Sequence, residues 1–123
     1  MKPKQIKSLQ AKSKKLVARV IKQGNPHEPF AVIVGSSSTA TLNFVVTVQF
    51  MPNGSVSARC TCEWAEHGGI ACSHVIAALS KLASMKKRHL SFWLNAEDAR
   101  RQKQALFCLR RDREAIWITS RAA

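Results

Sequence analysis

Hydrophobic and polar residues alternate along the middle of the chain in the pattern that β-strands require. Over residues 40–51, large apolar side chains recur at every second position. A shorter β-branched run covers residues 30–34, and residues 55–59 return after the turn signal Pro52-Asn53-Gly54. Since successive side chains of a strand point to opposite faces, these segments predict a three-stranded antiparallel meander.

The apolar positions near the N-terminus recur at helical spacing instead, which predicts an amphipathic helix over residues 4–23. These positions are Ile6, Leu9, Leu16, Val17, Val20 and Ile21. Lysine and arginine fill most of the other positions without an acidic residue, and Gly24 ends the pattern. A solvated basic face over a core stripe is one interpretation. We favour a phosphate-binding arm, because a face without acids lacks the i,i+4 ion pairs that stabilise helices.

A second helical pattern begins at Ser73, a plausible N-cap, and runs to about Lys87. Basic residues crowd its far end, which is also favourable for a helix C-terminus. Beyond it, Phe92 and Trp93 stand beside leucines. Such a pair is more often packed in a core than stacked on nucleic-acid bases, so we expect core packing here.

The C-terminal part combines a short helix with a segment of ambiguous pattern. Asn95 is an N-cap candidate for a helix that runs to about Lys103. The segment 104–120 fits either a helix continued to Leu109 or a β-hairpin. The β-branched residues within 116–119 favour the hairpin.

Three cysteines and a histidine form the strongest chemical signal, C-x-C-x9-C-x-H. These residues are Cys60, Cys62, Cys72 and His74. Three sulfurs and one nitrogen make a closed tetrahedral set that suits one structural Zn2+ and leaves no position for a substrate. The alternatives are ordinary buried cysteines or two disulfides, which would have to cross the loop and would leave Cys108 unpaired. His67, which lies inside the loop, is the competing nitrogen ligand.

This spacing resembles the SWIM zinc finger over roughly residues 41–84, about a third of the chain. Thr61, Trp64, a glycine before the third ligand and the apolar run 75–79 are similar to that family. Ser73 departs from it, since many members carry a basic residue there. The resemblance implies a β-β-α frame, the four ligands named above, and an association with nucleic acid and with protein contacts.

The combined prediction is an α+β fold with a small antiparallel sheet. A three-stranded meander and a β-β-α zinc finger are flanked by the N-terminal amphipathic helix and a C-terminal helix or hairpin. Within one compact domain, we assign residues 1–24 to the basic helix, 25–88 to the sheet and finger, and 89–123 to a basic C-terminal extension.

The charge balance points to a polyanionic partner. Twenty Lys and Arg residues oppose seven Asp and Glu residues, a formal charge of +13 with a pI near 10.4. Nucleic acid, either DNA or RNA, is the expected ligand of so basic a small protein, and an anionic membrane surface is the weaker alternative. Because no apolar run has membrane-spanning length and no export signal is visible, we expect an intracellular protein that does not enter the membrane.

These patterns predict a zinc-stabilised nucleic-acid-binding module that is not an enzyme, because no nucleophile, paired carboxylate or phosphate loop stands out. We expect an accessory subunit of a nucleoprotein complex. The predicted phosphate contacts are Lys12, Lys14, Lys15, Arg19, Lys86, Lys87, Arg88, Arg100 and Arg101. The alternative is a protein–protein adapter with structural zinc and no nucleic-acid contact, anchored by an exposed Trp64 or Trp93.

Overall fold

A computed structural model describes residues 6–25, 28–36, 39–51, 54–61, 72–111 and 114–122 of the chain. Within these residues, seven strands form a single sheet in the order β1-β2-β3-β4-β6-β7-β5. The strands are β1 Leu16–Lys22, β2 Phe30–Ser36, β3 Thr39–Phe50, β4 Ser55–Cys60, β5 Arg88–Trp93, β6 Ala105–Arg111 and β7 Glu114–Ala122. The helices are α1 Ile6–Ser13, α2 Ser73–Ser84 and α3 Ala96–Arg100.

The predicted fold class is wrong, because the chain is mostly sheet and not a small α+β unit. More than half of the described residues lie in strands, and the seven-stranded sheet curls into a half-barrel. The three predicted strands are present as β2, β3 and β4, which are antiparallel neighbours. They make up less than half of a sheet that also recruits the N-terminal and C-terminal segments.

The predicted helix over residues 4–23 is wrong beyond Ser13. The helix α1 ends there, and the following residues form the edge strand β1. Leu16, Ala18 and Val20 are partly buried and pack against the core, whereas the residues between them are exposed. A run rich in β-branched residues gains more from this two-faced strand than from a helix.

The alternation predicted for β3 is confirmed where side chains are described. Val46 and Val48 are completely buried, and Val45 and Thr47 point outward. Gly24 permits the connection from β1 to β2, since a Cβ atom there would lie only 2.5 Å from the ring of Phe30.

Both predicted later helices exist but end earlier than expected. The helix α2 ends at Ser84 and not at Lys87, and its N-cap is Cys72 in place of Ser73. The helix α3 ends at Arg100 and not at Lys103. Its predicted N-cap is confirmed, since the side chain of Asn95 accepts a 2.8 Å hydrogen bond from the backbone N–H of Glu97.

The C-terminal hairpin is confirmed, and it extends the main sheet. Strands β6 and β7 pair antiparallel, and β6 pairs in parallel with β4 through Ser55↔Cys108 and Val56↔Leu109. On the other side, β7 pairs with β5, where Phe92 is completely buried as expected. The finger strand and the C-terminal hairpin therefore belong to one continuous sheet.

The main core lies between this sheet and the helix α2. That helix contacts α1 and strands β1 to β5, and it buries Val75, Ile76, Ala78, Leu79 and Leu82. Among the residues described, every helix is too short or too polar to cross a membrane. The arrangement places the start of α2 beside the end of β4, where the predicted metal ligands lie.

Candidate zinc centre and basic groove

The end of β4 and the start of α2 bring three predicted metal ligands together. Cys60 is the last residue of β4, Cys72 is the N-cap of α2, and His74 lies in the first turn of that helix. The two sulfur atoms and an imidazole nitrogen all lie within 4.8 Å of one another. Both cysteines are buried and the histidine is half-buried, so the donors face a largely water-free corner.

The geometry of this corner fits a zinc ion. The Sγ atom of Cys72 lies 3.6 Å from Nδ1 of His74. Typical Zn–S and Zn–N bonds of about 2.3 and 2.0–2.1 Å, arranged as a tetrahedron, separate a sulfur from a nitrogen by about 3.6 Å. Soft thiolate together with imidazole is also the donor set that zinc prefers. The partial positive charge at the N-terminus of α2 favours the thiolate form of its cysteine.

Strand β3 holds both sides of this corner in place. The ring of Phe44 lies over the imidazole of His74, with ring centroids 4.3 Å apart and planes tilted by 35°. Next to Cys60, Thr61 pairs with Val45 through two hydrogen bonds: its N–H donates to the carbonyl (3.2 Å), and its Oγ1 accepts from the backbone N–H (3.1 Å). These contacts fix the ring plane of one ligand and the backbone after another, which is how supporting residues tune a metal site. The sequence pattern missed Phe44 in this role, although it lies on the strand that faces the ligands.

Two predictions at the metal site fall outside the described residues. Cys62, the fourth predicted ligand, and His67, its competitor, both lie there, and so does Trp64. The ligand role of Cys62 therefore stays a prediction. Cys108, by contrast, is a buried free thiol on β6, as expected for a cysteine outside the ligand pattern.

Comparison with known families identifies the same segment. Residues 44–83 match the family model of the SWIM zinc finger. This segment is a SWIM zinc finger. It carries one structural zinc ion, as the family match and the Cys-Cys-His cluster together indicate. Neither the curated proteins nor the solved structures contain a significant match to the chain.

The far end of the SWIM helix α2 carries a different chemistry. Six of the nine predicted phosphate contacts lie at or just after the C-terminal ends of α1 and α2: Lys12, Lys14, Lys15, Lys86, Lys87 and Arg88. All of them are exposed except Arg88, which is half-buried.

The other three predicted phosphate contacts lie apart from this cluster. Arg19 is exposed on β1, on the face opposite to its inward-pointing neighbour Ala18. Arg100 is the last residue of α3 and lies over the ring of Trp117 at 5.7 Å. Arg101 is the C-cap of that helix and pairs with Asp98 at 3.5 Å. The structure thus does not bring the nine residues onto one surface.

A groove of about 330 Å3 lies on the surface where the SWIM helix α2 meets α1, β1 and β5. Its basic residues are Lys14, Lys81, Arg88 and His89. Among the residues described, no acidic side chain lines it. Lys81 and His89 were not among the predicted contacts. One sequence signal could have indicated the groove and its cations. Small and polar residues recur at helical spacing on one face of α2, at Ala77, Ser80, Lys81 and Ser84.

Several cations around this groove are held by specific contacts. The guanidinium of Arg88 donates two hydrogen bonds to Ser120, from Nε to Oγ (2.9 Å) and from an Nη atom to the backbone carbonyl (2.7 Å). Lys87 has a left-handed backbone, with φ of 58°. Lys7 on α1 lies over the ring of Trp93, with 3.6 Å from Nζ to the ring centroid, and burial lowers the pKa of its amine. Trp93 is half-buried, and its indole N–H donates to Thr119, so it is not the exposed anchor that an adapter would need.

Proposed function

We propose that this protein is a zinc-stabilised nucleic-acid-binding module that serves as an accessory subunit of a nucleoprotein complex. One observation carries the proposal: the cationic groove between α1 and α2, which no described acidic side chain lines. Phosphates bind where lysine and arginine converge without competing carboxylates. The zinc ion supports this surface from a distance, because it fixes the N-terminal end of the same helix.

The cations are too numerous to serve only the helix ends. A helix C-terminus carries roughly −0.5 elementary charge, so two of them offset about one positive charge. Seven cationic residues lie in or after the last turns of α1 and α2, namely Lys12, Lys14, Lys15, Lys81, Lys86, Lys87 and Arg88. The remaining positive charge repels itself unless a polyanion is present.

Lys87 is an exposed cation just after α2, and we assign it to phosphate binding. Its left-handed conformation suits glycine, and a lysine there costs about 1 kcal/mol. Lys103, which follows α3, has the same conformation with φ of 52°. The exposure and charge of Lys87 therefore carry this assignment, and its backbone does not.

We propose binding and not catalysis. Four predicted protein ligands fill a tetrahedral zinc site, whereas catalytic zinc usually keeps one position for water. The proposed role of the metal is to hold β4 and α2 together.

The experiment compares charge removal inside and outside the groove. Binding of random single-stranded and duplex oligonucleotides is measured by fluorescence anisotropy at several salt concentrations. The test variant is Lys14→Gln/Lys81→Gln, and the control is Arg59→Gln/Arg110→Gln, two exposed arginines outside the groove. We expect the groove variant to bind more weakly than the control, with a salt slope reduced by about 1.4–1.8, because each lost phosphate contact removes about 0.7–0.9. Equal losses in both variants would contradict the assignment of the groove.

The protein–protein adapter remains a second candidate because of one surface. Val17 and Ile21 on β1 are 58% and 51% exposed, and Val45 on β3 is 37% exposed. These strands lie on either side of β2, and apolar side chains exposed together on one sheet are typical of a protein contact. If wild-type protein at micromolar concentration and moderate salt binds neither oligonucleotide, the adapter is favoured.

A further inference from the structure

We infer that the groove between α1 and α2 receives one unpaired nucleotide of a single-stranded nucleic acid, with the base inside and the phosphate at the rim. This inference rests on the proposed nucleic-acid binding and adds the form of the ligand. It starts from the shape of the site. A volume of about 330 Å3 lies at the small end of the range of roughly 300–1,000 Å3 for ligand pockets, so it suits one nucleotide and not a duplex.

The floor of the groove is apolar. Leu16 and Ala18 of β1, Ala77 of α2 and Leu90 of β5 line it. A phosphate gains nothing from such a surface, but the flat face of a base does, since burying it removes apolar area from water. Bases in a duplex are stacked and paired, whereas bases of a single strand can be turned into a pocket.

The polar groups at the ends of the helices complement a base better than a bare anion. The hydroxyl of Ser13 donates to the carbonyl of Gln10 (2.6 Å), and the hydroxyl of Ser84 donates to the carbonyl of Lys81 (2.7 Å). Each hydroxyl has one proton, so these two oxygens offer only lone pairs to a ligand. Lone pairs repel phosphate oxygens and accept from the N–H groups of a base.

The partial charges at the helix ends determine which part of the nucleotide enters the groove. Both C-terminal ends border the groove, at Ser13 and Ser84, and their carbonyls carry partial negative charge. An anion placed between them is disfavoured. The phosphate therefore lies at the rim, where the long side chains of Lys14 and Lys81 reach it, and Arg88 is held at the wall by Ser120.

The first test fills the groove without removing a charge. Ser80→Phe places a ring in the groove, and Ala83→Phe is the matched control, since Ala83 lies on the same helix outside the groove lining. We expect wild-type protein to bind a single strand more tightly than a duplex of equal length. Ser80→Phe should weaken single-strand binding by on the order of tenfold and leave duplex binding unchanged, and Ala83→Phe should change neither. Zinc content and melting temperature verify that both variants are folded.

The second test leaves the protein unchanged. Wild-type protein is titrated with a single strand and with the same strand carrying abasic sites, which keep every phosphate and lack the bases. We expect the abasic strand to bind on the order of tenfold more weakly. Equal affinity for the two strands, or for single strand and duplex, overturns the inference while leaving nucleic-acid binding intact. Binding to none of these ligands contradicts the proposed function itself.

Discussion

The two ends of the SWIM helix α2 differ in burial and in charge. Its N-terminal end is buried against β3 and β4, where Cys72 and His74 meet Cys60. Its C-terminal end is open and positively charged, with Lys81, Lys86 and Lys87 exposed. One end gathers donors that suit a metal cation, and the other gathers cations beside a groove that no described acidic side chain lines.

This difference shows how stability and binding can be separated on a single helix. The N-terminal end contributes to folding because Cys72 and His74 must keep their positions for the zinc ion to stay bound. The C-terminal end keeps its charges apart in water, where self-repulsion is small and salt-dependent. Changes at the first end should therefore unfold the protein, and changes at the second should act mainly on binding, with at most small effects on stability.

The largest effect is expected from loss of the metal. Cys72→Ser or a strong chelator should abolish cooperative folding of the finger, since zinc binding contributes roughly 10–16 kcal/mol and domain stability is only about 5–15 kcal/mol. Thermal melting by circular dichroism, with elemental zinc analysis, measures this. The control Cys108→Ser changes a buried free thiol and should cost about 1–3 kcal/mol while zinc stays bound. An unchanged melting temperature in Cys72→Ser would refute the structural role of the ion.

An intermediate effect is expected from the ring that packs on the histidine ligand. Phe44→Ala removes the contact with His74 and part of the core, which should cost about 1–3 kcal/mol, less than a fully buried phenylalanine. Zinc affinity, measured by competition with a chromophoric chelator, should fall as well. Phe107→Ala is the control, because Phe107 is 36% exposed on β6, away from the ligands. Equal zinc affinities in the two variants would show that Phe44 only fills space.

A smaller effect, of opposite sign on stability and binding, is expected at Lys87. Lys87→Gly relieves the left-handed strain and should raise the unfolding free energy by up to about 1 kcal/mol. It should also weaken nucleic-acid binding a fewfold, because one phosphate contact is lost. Lys86→Gly, which removes the neighbouring charge at a residue without a left-handed backbone, is the control and should not stabilise. Stabilisation without any loss of affinity would remove Lys87 from the binding surface.

The smallest effect is expected at Lys7, whose cation lies on Trp93. Burial lowers the pKa of this amine below 10.5 in the folded protein. Between the lowered pKa and 10.5, the unfolded chain therefore binds more protons than the folded chain. The contribution of Lys7 to stability should then rise with pH through the lowered pKa towards 10.5. Comparing the melting of wild type and Lys7→Met at pH 7 and pH 10 tests the sign. Nucleic-acid affinity should stay within about twofold, and a larger loss would extend the binding surface along α1.

The sequence was sufficient for features that depend on neighbouring residues. The finger, its helix, the strands β2 to β4 and the cap at Asn95 are each encoded within a short segment. The N-terminal helix prediction failed beyond Ser13 because Leu16 and Val20 fit the period of a strand as well as that of a helix. Only the partner strand β2 decides between them, through pairs such as Ala18↔Val34.

The groove and the full sheet depend on contacts between distant segments. The parallel pair Ser55↔Cys108 and the packing of α1 beside α2 leave no local pattern. The basic residues were visible in the sequence, but their grouping was not. Lys14 and Lys81 both line the groove, whereas Arg19 is exposed on the other face of β1. Charge alone therefore predicted a class of ligand and not a site.

The parallel pairing of β4 with β6 also limits how the finger can be handled as a module. A fragment that stops near residue 83 would lose β6, so part of β4 would present unsatisfied backbone groups to solvent and invite other chains to pair with it. The finger of this protein is consequently not an independent module that can be excised and grafted into another protein. Fusion tags or grafts should preserve the chain through β7, because its nine residues pair with both β5 and β6.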